Sequence, residues 1–206
     1  SSQIGTSCDL CFMLGASCGT YAEPNGEAWS RHWAAPVEGD GIPCLLSRYF
    51  AEPHSSSLNP RTGLYGAGVT IEAMACALEC DYTHYGACGE ADFGWGCGYR
   101  VLQMLLGALV KRGLVCAEQP TTVRGLQAAL ARQGRTREGS EDWIEPPDMA
   151  ALLREMGVEC WEGAMDRGLV ALLWRHFGRW GPRTPVAVDD SRFAYCIAGV
   201  CRAGGD

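Results

Sequence analysis

The sequence predicts an α+β domain, on three observations. Four amphipathic stretches with helical spacing follow one another between residues 99 and 180. Two short runs rich in Val, Ile and aromatic residues come after them. The composition, with 47 % hydrophobic and 20 % charged residues in 206, is that of a chain able to bury a core of ordinary size. Helices first and strands last give the α+β class.

Residues 1–60 stand apart from the rest. They are rich in Gly, Pro and Ser, and the run Glu52-Pro53-His54-Ser55-Ser56-Ser57 reads as loop or linker. The expected organisation is therefore a loop-rich N-terminal segment at 1–60 and a domain at 61–206. Within the domain, Val101, Leu102, Leu105, Leu106, Leu109 and Val110 recur at spacings of three and four, so a helix is expected over residues 99–111, stopped by Gly113. A second helix is expected over 122–133, with Val123, Leu126 and Leu130 inward and Gly134 closing it. A third fits 147–156, where Asp148 follows two prolines and Gly157 ends the pattern. A fourth fits 167–180, carrying Leu169, Leu172, Leu173, His176 and Phe177. The runs at 185–188 and 193–201 read as strands.

The formal charge of −7 predicts no bulk attraction to nucleic acid or anionic membrane. No apolar run approaches the ~20 residues of a membrane span, and no basic-then-apolar leader opens the chain. The absence of an initial Met and the ending Gly204-Gly205-Asp206 suggest a piece of a longer protein. Twelve cysteines suit either a disulfide scaffold or a reduced protein. A chain with this much apolar content does not need a covalent scaffold, so a reduced, cytoplasmic protein is expected. Cys8, Cys11 and Cys18 contain one Cys-x-x-Cys, with His32 a conceivable fourth ligand. A zinc site needs a second well-spaced pair, so no metal is assigned.

Chemistry concentrates at Asp92-Phe93-Gly94-Trp95-Gly96-Cys97-Gly98-Tyr99-Arg100. Three glycines surround one cysteine, and a long apolar helix begins there. Glycines let a substrate main chain come close. The partial positive charge at a helix start favours a nearby anion, the reactive form of a thiol. Cys97 thus reads as a nucleophile with a backbone N–H beside it for an oxyanion. The alternative is a cysteine that merely caps a packed helix.

The string Gly94-Trp95-Gly96-Cys97-Gly98-Tyr99-Arg100, with Gln103 in the helix after it, resembles the active-site motif of the ubiquitin-fold modifier-specific proteases. These are papain-like cysteine peptidases with relatives that cleave ubiquitin chains. Pro120-Thr121-Thr122-Val123-Arg124-Gly125-Leu126-Gln127, Gly139-Ser140-Glu141-Asp142-Trp143-Ile144, Pro185-Val186-Ala187-Val188 and Ile197-Ala198-Gly199-Val200 also resemble family stretches, so the likeness covers residues 80–201. Glu145 stands where the family usually has Gly.

The resemblance implies a papain-like fold and a thiol protease that cleaves after the C-terminal glycine of a ubiquitin-like modifier. That modifier and its conjugates would be the partners, and no cofactor is needed. It implies that Cys97 attacks the carbonyl and that Tyr85 helps the Cys97 N–H to hold the oxyanion. Gly94, Trp95 and Gly96 would line a narrow substrate channel. The family's base and its orienting group lie in an Asp-Pro-His motif, which this sequence lacks. The resemblance therefore places both beyond residue 206 and implies that the 206 residues alone are inactive. The ubiquitin-chain branch takes its His from the strand near Ala194–Val200, where this chain has Tyr195 and Cys196. A deubiquitinase of the same fold and a modifier-binding pseudo-protease remain the alternatives. His176, on an apolar stripe, reads as structural, His32 and His54 as solvated, and Asp189-Asp190 as turn residues.

Overall fold

The computed structural model describes residues 8–15, 69–164, 168–190 and 192–205. Its order is strand β1 (Cys8–Gly15), strand β2 (Val69–Cys76), a short 3-10 turn at Ala87–Gly89, helices α1 (Cys97–Lys111), α2 (Val123–Arg132), α3 (Pro146–Glu155) and α4 (Leu169–Phe177), then strands β3 (Val186–Asp189) and β4 (Ala194–Gly205). The four expected helices and the two closing strands are present. Strands β1 and β2 join the sheet from positions ahead of the helices. Of the segment at 1–60, residues 8–15 are described. Cys18, His32 and His54 lie outside the described residues.

β4 organises the sheet. β1 pairs antiparallel with it from Gly15↔Tyr195 to Cys8↔Ala203. β3 pairs with it from Asp189↔Ala194 to Val186↔Ile197, and β2 from Cys76↔Gly199 to Val69↔Gly205. A strand has two edges, and β1 occupies one of them along almost all of β4. β3 and β2 therefore share the other, end to end. Local bulges between Phe12 and Met13 and between Ile71 and Ala73 shift the pairing register of β1 and β2 against β4. β4 continues past Cys201, where its sequence pattern fades, because its Gly204 and Gly205 are held by pairing with Thr70 and Val69.

The helices start and stop for readable reasons. Thr122 caps α2, its hydroxyl accepting from the Gly125 N–H at 3.1 Å. At the end of α1, Gly113 takes a φ of +66°, its N–H donates to Val110, and the Leu114 N–H donates to Leu109. That paired closure satisfies carbonyls a helix end would otherwise leave open, and it repeats at Gly134 and Gly157. α3 begins at Glu145, whose N–H donates to the Asp148 carboxylate at 3.0 Å. Its φ of −108° is ordinary extended backbone, so Glu145 in place of glycine leaves this corner unstrained. α4 is shorter than expected. It stops at Phe177 because Gly178 turns extended, with ψ 170°. The Arg183 N–H then closes onto the His176 carbonyl, and Trp180 is left 89 % exposed on the returning loop.

One core joins the layers. Leu102, Leu106, Leu126, Leu130, Met149, Leu152, Leu173, Phe177 and Ile197 are buried in it. α1 lies at its centre, against β4 on one side and α2 and α3 on the other. Among the described residues no helix is long and apolar enough to cross a membrane, and Cys80, Cys88, Cys97, Cys116, Cys160 and Cys196 are free thiols.

Ile197→Ala is expected to lower the unfolding free energy by about 2–5 kcal/mol, since it empties volume at the sheet centre. Trp180→Ala is expected to change it by less than about 0.5 kcal/mol. Urea denaturation distinguishes them. Burial pushes the His176 imidazole below its ordinary value, opposed by its Nε2–H donating to the Thr184 carbonyl at 2.6 Å. Folding thus favours the neutral ring. The stability it contributes is complete above the unfolded value of about 6.5 and declines as pH falls through the lowered folded value. Thermal melts across that range should show the decline in the native chain and a flatter profile in His176→Gln.

Candidate active site

Cys97 is the first residue of α1, and Gly96 is its cap. The first turn of this helix is wedged between two segments that leave no room for side chains. A methyl group at Gly96 would overlap the Asp92 carboxylate, and one at Gly98 would sit 2.5 Å from the Ile144 carbonyl oxygen. Gly94 is fixed for a different reason. Its φ of +84° lies where L side chains are strained, while the space around it is open. The glycines beside the cysteine are thus demanded by backbone approach, and the one before Trp95 by the turn that delivers the chain to the helix.

A buried charge network sets that turn. Arg100, one helical turn after Cys97, is 0 % exposed. Its Nε donates to Asp92 at 2.6 Å, and its Nη1 lies 3.2 Å from Glu90 and donates to Gln103 at 2.9 Å. Its Nη2 donates to the Ala87 carbonyl at 3.3 Å. The other Asp92 oxygen accepts from the Gly86 N–H at 2.7 Å, next to Tyr85. The other Glu90 oxygen accepts from the Val123 N–H, at the start of α2. Gln103 in turn donates to the Thr121 carbonyl. One guanidinium therefore ties residues 85–95 to α1 and both to α2.

A second clamp holds residues 139–145 over the helix start. The Tyr99 hydroxyl donates to the Asp142 carbonyl at 3.3 Å, and Gln127 Nε2 donates to the Ser140 carbonyl at 2.6 Å. Outside, Arg137 grips the Asp142 carboxylate with two bonds of 3.0 Å. Hydrogen bonding to Arg137, then to Ser140, lowers the Asp142 carboxyl to about 2.

Tyr85 and Cys97 belong to the same buried cluster, 7 % and 3 % exposed. Phe93 stacks on Tyr85, ring centres 5.6 Å apart and planes 23° apart. Trp95 is half-buried and meets Tyr99 edge-on at 5.7 Å. An attacking thiol needs access, and the structure instead buries Cys97, at the head of a helix whose next two residues meet Ile144 and Asp142. Surface clefts at Gln119, Pro120, α2 and α3, and at residues 137–142, are lined by none of Cys97, Tyr85, Gly94, Trp95 or Gly96.

Tyr195 of β4 lies within electrostatic reach of Cys97. Its phenol is pushed up by burial first, then by Asp190, to which its hydroxyl donates at 3.4 Å, and by Cys97. Asp190 also accepts from the Arg192 and Phe193 N–H groups, so it closes the β3–β4 turn as expected. His84 Nδ1–H donates to the Tyr85 carbonyl at 2.5 Å. His176 is bound to Thr184, away from the motif. Glu90 was not singled out by the sequence; the one available signal was a carboxylate two residues ahead of Asp92 and ten ahead of an arginine. Among the described residues no cluster of His, Cys, Asp and Glu is arranged to hold a metal.

The model of peptidase family C78 matches residues 71–205, from β2 to the end of β4. This chain belongs to peptidase family C78. It is 29 % identical over 174 residues to a Ufm1-specific protease of Caenorhabditis briggsae, covering 80 % of this chain and 28 % of that protein. It is 28 % identical over 130 residues to Ufm1-specific protease 1 of Mus musculus, covering 60 % of this chain and 59 % of that protein. The crystal structure of UfSP from C. elegans superposes with a TM-score of 0.52 at 27 % identity, over 68 % of this chain and 26 % of that one. The papain-like α+β fold follows from that superposition. The chain spans under a third of the nematode proteins and just over half of the mouse one.

Arg100→Met is expected to lower the unfolding free energy by about 3–5 kcal/mol, because it strands the buried Asp92 carboxylate and removes the cation beside the partly buried Glu90. Arg137→Met, on the exposed pair, is expected to leave it nearly unchanged. Gly98→Ala is expected to destabilise and to displace residues 139–145, read as faster amide exchange there. Denaturant titration with exchange mapping checks all three.

Proposed function

We propose that this chain carries the nucleophile of a thiol protease that cleaves after the C-terminal glycine of the ubiquitin-fold modifier, maturing precursors or releasing conjugates. The observation that carries the reading is a cysteine at the first position of a buried helix, in a backbone too crowded for neighbours other than glycine. In this reading Cys97 attacks the glycyl carbonyl. Its own N–H and the Tyr85 hydroxyl hold the developing oxyanion, where preorganised donors act most strongly. Gly94, Trp95 and Gly96 line the approach of the tail. The edge-to-face contact of Trp95 with Tyr99 supports that placement. No metal or cofactor enters the reaction. In this reading the domain at 61–206 supplies the nucleophile and the oxyanion donors but not the base, with 1–60 as an accessory segment and the cytoplasm as the compartment.

The base of such a reaction takes the thiol proton and returns it to the leaving amine. His84 and His176 each engage a main-chain carbonyl, and neither is assigned that role. The named relatives support the substrate class, each being called a Ufm1-specific protease. A second reading, a module that binds the modifier without cutting it, draws on the 3 % exposure of Cys97.

A modifier carrying a C-terminal thioester is expected to acylate Cys97, seen as a mass increase on the intact chain and lost in Cys97→Ala. Tyr85→Phe is expected to slow the step by about 10²-fold. Acylation that persists in Cys97→Ala overturns the assignment. Faster acylation by a ubiquitin thioester makes the chain a deubiquitinase. Tight binding without acylation supports the binding module.

A further inference from the structure

Phe93 is the residue the site leaves unexplained. It is 71 % exposed, four residues ahead of Cys97, on the loop the Arg100 network holds rigid. A large apolar side chain in that position loses free energy to water unless one of its faces is in use. Its ring lies nearly parallel to that of Tyr85, centres 5.6 Å apart, and its edge comes within 3.4 Å of the place a side chain would occupy at Gly86. Gly86 has a φ of +74°, so the backbone leaves this space for the ring. The loop is thus closed twice, by Asp92 Oδ1 accepting from Gly86 and by Phe93 lying over Tyr85. Tyr85 is 7 % exposed under that cover.

We infer that Phe93 is a positioning residue for the oxyanion donor: by stacking on Tyr85 it holds the phenol ring in the orientation that serves the carbonyl attacked by Cys97. The inference rests on the proposed function and assigns Phe93 a role in the attack step. A phenol on a single-bonded side chain turns about two torsions, and an offset aromatic partner restricts both. Such a pair contributes about 0.5–1.5 kcal/mol, or about two- to tenfold in an equilibrium. The effect should appear only where negative charge grows on the carbonyl oxygen.

The test compares two probes on the whole chain: the modifier ending in glycine aldehyde and the same modifier ending in the alcohol. With the aldehyde, the Cys97 sulfur bonds to the carbonyl carbon and the carbonyl π pair moves to oxygen. That oxygen takes the proton the thiol gives up, leaving a hemithioacetal. The alcohol binds without this step. Calorimetry gives both affinities, and thermal melts verify folding. Phe93→Ala is expected to weaken the aldehyde about two- to tenfold and leave the alcohol unchanged, with Phe93→Tyr restoring native behaviour. In a Tyr85→Phe background, Phe93→Ala should cost the aldehyde nothing more. Equal weakening of both probes overturns the inference and makes Phe93 a contact for the tail. An unchanged aldehyde affinity, or a full loss in the Tyr85→Phe background, overturns it too. A native chain that binds aldehyde and alcohol equally well removes the proposed nucleophile itself, a result separable from the behaviour of Phe93.

Discussion

The ion pair between Arg100 and Asp92, sealed from water at 2.6 Å, is what the site depends on. Taking a guanidinium and the Asp92 carboxylate out of water carries a large desolvation cost, offset only by close partners. Here the guanidinium reaches Asp92, Glu90, Gln103 and the Ala87 carbonyl. The carboxylates spend their remaining oxygens on the main chain at Gly86 and Val123. The pairing allows little alternative geometry, because moving any member leaves a charge buried alone. The loop carrying Tyr85, the helix carrying Cys97 and the start of α2 are registered against each other by electrostatics more than by apolar packing.

Around this network the fold supplies rigidity from two directions. The long strand β4, buried from Ala194 to Cys201 apart from Tyr195, gives α1 a flat wall. α2 and α3, closed by their glycine stops, hold the 139–145 segment across the helix start through Gln127, Tyr99 and the Gly98 contact. A nucleophile at a helix N-terminus must keep its first N–H groups directed at one point in space. A helix pinned on both sides does so without reorganising when charge develops. Cys97 is 3 % exposed within this arrangement.

The site was legible in part. The motif around Cys97 marked the helix start because glycines beside a cysteine, followed by a stripe of Val and Leu, are local signals. Their physical causes were not legible: the carboxylate of Asp92 that excludes a side chain at Gly96, and the Ile144 carbonyl that excludes one at Gly98. Glu90 and Phe93 carried no local signature. A carboxylate in a loop ordinarily faces water, and only the position of Arg100 draws Glu90 inward. A phenylalanine before a glycine is unremarkable until Tyr85 is found beneath it.

By itself the sequence determined the four helices, the glycine stops of the first three, the two closing strands and the glycine-flanked motif around Cys97, since each follows from interactions within a few residues along the chain. Helical spacing and a glycine after a last turn act at that range. Tertiary structure alone decided that β1 and β2 complete the sheet, that β4 runs on through Gly204 and Gly205, and that α4 stops at Phe177. It also decided that Cys97 lies covered. Strand pairing and burial depend on partners far apart in sequence, as in Val69 opposite Gly205. Bulged strands and glycine-bearing edges give no regular alternation from which such partners can be read.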